Sequence, residues 1–213
     1  MNKNLSEIVF LLDRSGSMAG REQDTIGGFN AMMEKQRNAE GTALISTVLF
    51  DDCSQVILNR VDARDVPPMT REQYCVQGCT ALLDAIGDAI QHIGNLHKFS
   101  DPEDVPAHTL FVITTDGMEN SSRRYGIEQI RHMIRRQQER FGWEFLFLGA
   151  NIDAIKTAAN LGIGADRAAN FHCDGQGIAR NYEAVCQAVS AVRSNRPLSG
   201  SWKAAIDRDF KSR

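Results

Sequence analysis

The residues of this sequence that could do chemistry lie in a few short segments. Asp13-Arg14-Ser15-Gly16-Ser17 sets a carboxylate and two hydroxyls at alternate positions, with a small glycine between the serines. Such a stretch can fold back so that its side chains face one point. Asp, Ser and Ser offer only oxygen, a donor set that suits a hard cation such as Mg²⁺, Mn²⁺ or Ca²⁺ rather than zinc. Taken alone, D-x-S-x-S also fits a plain strand-to-loop Asx/Ser turn. A second carboxylate, Asp116, stands in Thr114-Thr115-Asp116-Gly117, where glycine permits a sharp turn. Thr80 stands in Gly78-Cys79-Thr80-Ala81-Leu82, just ahead of a long amphipathic stretch.

Positioning these segments requires strands and helices in alternation. Ile8-Val9-Phe10-Leu11-Leu12 is an unbroken apolar run, as expected of a strand covered on both faces. Ala43 to Phe50 reads as a strand, and Asp51-Asp52 then turns into Ser54 to Leu58 as an antiparallel edge hairpin. Leu110 to Ile113 and Phe145 to Leu148 are two more buried strands, with a weaker one at Ala168 to His172. Leu82, Leu83, Ile86, Ala89, Ile90, Ile93 and Leu96 recur at helical spacing. The same is true of Ile127, Ile130, Met133 and Ile134, and of Ile178, Tyr182, Val185, Val189 and Val192. This alternation predicts a doubly wound α/β fold with a mostly parallel six-stranded sheet and one antiparallel edge strand. Ligands in such sheets bind at the carboxyl ends of the strands, where strand order reverses. Two apolar strands end there in carboxylates, Asp13 and Asp116.

The D-x-S-G-S-M opening, the G-x-T before the long helix and the T-D-G at a strand end resemble the metal-ion-dependent adhesion site of the von Willebrand factor A family. The likeness runs from about Ile8 to Val192. It implies a Rossmann-like fold and a metal site at Asp13, Ser15, Ser17, Thr80 and Asp116. By resemblance, the three hydroxyls ligate the ion, and the two carboxylates ligate it directly or through water. Mg²⁺ is the expected ion, with Mn²⁺ or Ca²⁺ as alternatives. The implied partner is another protein that offers an Asp or Glu to an open coordination position. The resemblance also implies that binding is linked to a shift of the C-terminal helix, here Ile178 to Val192. Glu119-Asn120-Ser121-Ser122 and the Gly142 to Asn151 stretch are similar to small stand-alone members in bacteria and their phages.

Other candidates have plainer readings. Asp51 and Asp52 read as solvated turn residues, with a second metal site as the alternative. His92, His97, His108, His132 and His172 have no metal-ligand spacing and are expected on the surface or on helix faces. Arg131, Arg135, Arg136 and Arg140, with Arg123 and Arg124 before them, read as a solvated basic face. The five cysteines, an odd number, show no CxxC or matching His pair. They are expected as free thiols in or near the core, in a reducing compartment. Residues 1–193 make the expected domain and 194–213 a polar tail. There Trp202, Ile206 and Phe210 form a one-sided stripe on a short helix, read as docking back on the domain, with an anchor for a partner groove as the alternative.

With 213 residues the chain can bury a core without staples, and a net charge of −3 gives no electrostatic case for nucleic acid or an anionic membrane. No apolar run is long enough to span a bilayer, and Met1 to Glu7 lacks the features of a signal peptide, so a cytoplasmic location is expected. The expected function is a non-enzymatic, cation-dependent protein-binding module. The alternative is a Mg²⁺-dependent phosphoryl-transfer or hydrolytic enzyme. Against it, the sequence has no phosphate-binding glycine loop and no nucleophile elbow, and Ser15 stands where a phosphoaspartate enzyme needs a second Asp. The rim that would select a partner is expected at Met18 to Asp24, Pro67 to Cys79 and Met118 to Tyr125.

Overall fold

The apolar run Ile8–Leu12 lies in the middle of the molecule, within strand β1 (Asn2–Asp13), and is buried on both faces in the computed structural model of residues 1–213. Side chains alternate across a strand, so β1 feeds two cores at once. Ile8, Phe10 and Leu12 join one apolar cluster, and Val9 and Leu11 join the other. The sheet has six strands in the order β3-β2-β1-β4-β5-β6, where β2 is Thr42–Phe50, β3 Ser54–Asp62, β4 Pro106–Thr115, β5 Glu144–Gly149 and β6 Ala168–Asn170. Only β2 and β3 pair antiparallel. This is the doubly wound, mostly parallel sheet with one antiparallel edge strand that the alternation predicts.

Helices cover both faces. α1 (Glu22–Arg37) and α5 (Gly175–Arg193) pack on the Phe10 face, where Phe29 meets Phe10 edge-on at 5.5 Å. α1 and α5 come close because Gly28 has no side chain; a Cβ there would lie 2.3 Å from the Tyr182 ring. α2 (Leu82–Phe99), α3 (Ile127–Phe141) and the short α4 (Ala154–Asn160) cover the Val9 face. From β1 the chain winds outward through β2 and β3, then crosses by α2 to β4 on the other side. The reversal of strand order therefore falls between β1 and β4, the two strands that end at the acidic residues. No helix is long and apolar enough to cross a membrane.

Several sequence readings are corrected. α1 and α4 went unread, α1 because its buried stripe of Phe29, Met32 and Met33 is interrupted by Gly27 and Gly28 and completed by Thr25 and Gln36. β3 continues past Leu58 to Asp62, pairing Val61 with Ile45 and Asp62 with Leu44 across a bulge from which Arg60 reaches the buried Glu7 of β1 (Nε to Oε2, 2.8 Å). His97 is not a plain helix-face histidine; its Nε2 lies 3.4 Å from the same Glu7 oxygen. Asp51 is not solvated; it is 2% exposed and accepts from Arg14 Nε at 2.8 Å. Burial pushes its pKa up, but hydrogen bonds from Cys53 and Gln77 and the Arg14 charge outweigh this and leave it lowered. All five thiols are free, yet Cys53, Cys75 and Cys79 are exposed and only Cys186 is in the core.

The tail folds as α6 (Ala204–Ser212) and packs on α5 and β6. Trp202 and Ile206 are buried, the Trp202 indole donates to Asp166 O at 2.9 Å, and Phe210 stacks on His172. Arg193, at the end of α5, is buried and donates to the carbonyls of Gln36, Ala39 and Gly41, which ties the α1–β2 connection to the last helix of the sheet layer.

Candidate metal centre

Asp13 is the last residue of β1, and Asp116 follows the last residue of β4. These strands are parallel neighbours, with Leu12 beside Thr114, so both carboxylates emerge at one edge of the sheet. Asp13 is held from two sides: Ser15 N donates to Oδ1 at 2.8 Å, and Thr115 Oγ1 donates to Oδ2 at 2.5 Å. The first of these bonds closes the turn that brings the serines round. Ser17 Oγ then donates to Asp116 Oδ1 at 2.5 Å and lies 3.1 Å from Ser15 Oγ.

Thr80 arrives on the third segment. Gly16 N donates to Gly78 O at 3.0 Å, which joins the serine loop to the approach to α2. The Thr80 backbone is held by Asn120, whose Oδ1 accepts from Thr80 N at 2.9 Å while its own N–H donates to Thr80 O at 3.1 Å. Gly117 shows how tightly the oxygens gather: a Cβ there would stand 3.1 Å from Thr80 Oγ1 and 3.4 Å from Ser17 Oγ. All five residues singled out in the sequence therefore face one small volume.

The electrostatics of that volume are unbalanced. Asp13 and Asp116 are each 2% exposed, and burial raises the pKa of both; for Asp13 the Asp116 charge adds to the rise. Of the two basic residues in the β1–α1 loop, Arg14 turns away to Asp51 and to Gln55 Oε1 at 2.7 Å, and Arg21 approaches the Cys173 thiol beside Asp116. Buried charges in proteins are normally paired or bound to metal. Two carboxylates and three hydroxyls make an all-oxygen donor set that fits a hard divalent cation. No three His, Cys, Asp or Glu side chains come together to hold an ion, so the donor set depends on the three hydroxyls.

Residues that the sequence reading assigned to the rim, or to nothing at the site, support it. Glu119 accepts from Leu83 N at 2.9 Å, Ser122 N at 2.7 Å and Ser122 Oγ at 2.8 Å. Asp84 accepts from the backbone N–H groups of Arg123, Arg124 and Tyr125, each at 3.0 Å. Together these lock the β4–α3 loop, which carries Asn120, onto the first turn of α2, whose N–H groups have no partners within the helix. Tyr74 Oη donates to Asp13 O at 2.5 Å. Cys173 Sγ lies 3.7 Å from Asp116 Oδ2, and burial, with that carboxylate beside it, pushes the thiol pKa up to about 11. The Glu119-Asn120-Ser121-Ser122 string was a signal in the sequence; Cys173 carried none, and Tyr74, expected only as part of the rim, is instead buried.

No family model matches the sequence, and no curated protein does. Solved structures do. A von Willebrand factor type A protein from Catenulispora acidiphila superposes with a TM-score of 0.60 at 16% identity, covering 89% of this chain and 43% of that one. Proximal thread matrix protein 1 from the mussel byssus gives 0.58 at 14% identity, over 89% and 47%. The manganese-loaded TRAP protein of Plasmodium vivax gives 0.57 at 13% identity, over 85% and 74%. The chain thus spans less than half the length of the first two. At these identities the likeness establishes the fold, which is of the von Willebrand factor A type.

Proposed function

We propose that this chain, built on the von Willebrand factor A fold, is a divalent-cation-dependent protein-binding module. The observation that carries the reading is the convergence of Asp13, Ser15, Ser17, Thr80 and Asp116, from three separate segments, on a volume that holds two buried carboxylates. These five residues would hold Mg²⁺, or Mn²⁺ or Ca²⁺ in its place. A bound ion of this kind supplies a Lewis-acidic position that a carboxylate from another protein can take. That one of the structural neighbours was solved with manganese supports the choice of a divalent ion.

The protein's own residues do the rest. Asp13 and Asp116 hold the charge, and the hydroxyls of Ser15, Ser17 and Thr80 add oxygens without adding charge, so a partner carboxylate is still attracted. Asn120 and Glu119 fix the Thr80 segment. Around the site Met118 is exposed, an apolar side chain well placed to meet a partner, with Arg71 and Gln77 also exposed on the neighbouring loop. Met18, expected on this rim, is instead buried.

The test is Mg²⁺ titration by calorimetry of the wild type and of Asp13→Ala and Thr80→Ala, followed by capture of partners from the native cell with Mg²⁺ or with chelator. Saturable binding that both variants lose, and capture that chelator abolishes, support the reading. No binding at millimolar Mg²⁺ overturns it. Turnover of a phosphoester panel that Asp13→Asn abolishes would favour the Mg²⁺-dependent enzyme instead.

A further inference from the structure

At the opposite end of the strands from the metal site, α2 and α3 part to leave a groove of about 990 Å³. Its floor is Trp143, just before β5, which stacks on Phe111 at 5.3 Å and meets His97 edge-on at 5.5 Å. The groove exists because α2 carries Gly94 where it passes this floor. A Cβ on Gly94 would be 3.9 Å from Gln137 Nε2 and 4.0 Å from the Trp143 ring, in ordinary contact, so a longer side chain would project into the opening. Met133 and the half-exposed Phe141, both from α3, add apolar wall.

The polar side of the groove has one sign. Lys98 from α2 and Arg136 from α3 line it, together with His97 and His132, and none of its 18 lining residues is Asp or Glu. Neighbouring arginines on α3 are neutralised on their own helix, Arg131 by Glu128 and Arg135 by Glu139, whereas Lys98 and Arg136 have no carboxylate partner. The buried Glu7 touches His97 from below, but Arg60 already pairs with it.

Ligand sites are concave, largely apolar and furnished with a few polar groups, with volumes of roughly 300–1,000 Å³. We propose that this groove is a second binding site, for a small amphipathic organic anion. The carboxylate or phosphate head lies between Lys98 and Arg136, and an aromatic or aliphatic body lies against Trp143, Met133 and Phe141. The site shares no residue with the cation centre, so it stands or falls independently of the binding-module reading.

The probe is 1-naphthyl phosphate, titrated by calorimetry into the full chain in the presence of chelator, with neutral 1-naphthol as the control. Chelator keeps a phosphate from binding through a cation at the other site. The expected result is saturable one-to-one binding, about tenfold or more tighter for the anion than for the alcohol, as a charge-assisted contact requires. It should weaken by about tenfold or more in the double variant Lys98→Glu/Arg136→Glu, whose changes are at exposed positions. It should also be lost in Gly94→Leu, which fills the groove and raises helix propensity. Nuclear magnetic resonance should show the Trp143 indole signal moving on binding. Equal affinity for anion and alcohol, unchanged binding in both variants, or a stationary Trp143 signal would each overturn the proposal. So would an acidic peptide that binds here while the naphthyl phosphate does not.

Discussion

Ser17 Oγ donates to Asp116 Oδ1 at 2.5 Å, although the two residues are 99 positions apart in the chain. The bond joins the loop after β1 to the loop after β4, and Thr115 Oγ1 ties the same two strand ends together through Asp13. The oxygens are therefore assembled by the fold itself. Much of the ordering that a cation site needs is completed when the sheet forms, and preorganisation of this kind favours affinity.

Assembly has an electrostatic cost that predicts the behaviour of Asp13→Asn. Burial raises the pKa of Asp13 and Asp116 above their ordinary 3.8. A raised carboxyl stabilises the folded state fully below the ordinary pKa, and that contribution is lost as pH rises through the folded value. Above the folded values the metal-free wild type bears the strain of two ionised neighbours. Asp13→Asn should therefore leave the metal-free protein as stable as the wild type or more so, while abolishing the rise in Tm with Mg²⁺. Thermal melts from pH 4 to 8, with chelator or Mg²⁺, check both halves. A metal-free variant that melts below the wild type at pH 7 would mean Asp13 serves the fold rather than an ion.

Gly117→Ala tests the spacing of the donor oxygens. Its φ is not in the left-handed region, so alanine is permitted by the backbone, but the new Cβ would press on Thr80 Oγ1 at 3.1 Å. Disturbing groups that position metal ligands costs about 10- to 100-fold in metal affinity. Calorimetry should show a loss of that order with far-ultraviolet circular dichroism unchanged; an unaltered affinity would show that the glycine has no part in the spacing.

How far the site was legible follows from where its information lies. Asp13, Ser15 and Ser17 are close in sequence, and Asp116 follows a plain apolar strand, so strand-end reasoning reaches all four. Thr80 was reached mainly by resemblance, since nothing in Gly78 to Leu82 beyond its place ahead of a long helix says that its loop returns to β1. Its supports were out of reach for the same reason. The Asn120 bonds to Thr80, and those from Thr115 to Asp13 and Cys173 to Asp116, are long-range pairings with no local period. The sheet was legible because fully buried strands are continuous apolar runs. α1 was not, because Gln36 and Thr25 take core positions where their polar atoms meet α5 or lie enclosed.

The Glu7 cluster is a test of stability away from the site. Glu7 is wholly buried in β1, and its Oε2 accepts from Arg60 Nε at 2.8 Å. Removing one partner of such a pair leaves a charge uncompensated, at a cost of about 3–5 kcal/mol. Arg60→Ala should lose stability on that scale in urea unfolding, and Glu7→Leu combined with Arg60→Leu should recover most of it. A small loss in the single variant would mean that His97 or water compensates Glu7.

Trp202 decides whether the tail is part of the folding unit. Its ring is buried and its indole N–H reaches Asp166 O, while Lys203 Nζ donates to Ala165 O at 2.8 Å and Ala168 O at 2.6 Å, beside and within β6. Truncating a buried tryptophan costs about 3–5 kcal/mol when the surroundings cannot collapse. Trp202→Ala should therefore lower global stability by an amount near that range in a single transition, because β6 is a short edge strand that relies on this contact. Phe210→Ala, at the half-exposed end of the same stripe, should cost less than about 1 kcal/mol. If Trp202→Ala instead released the tail alone, with the main transition unmoved, α6 would be a detachable segment rather than a part of the core.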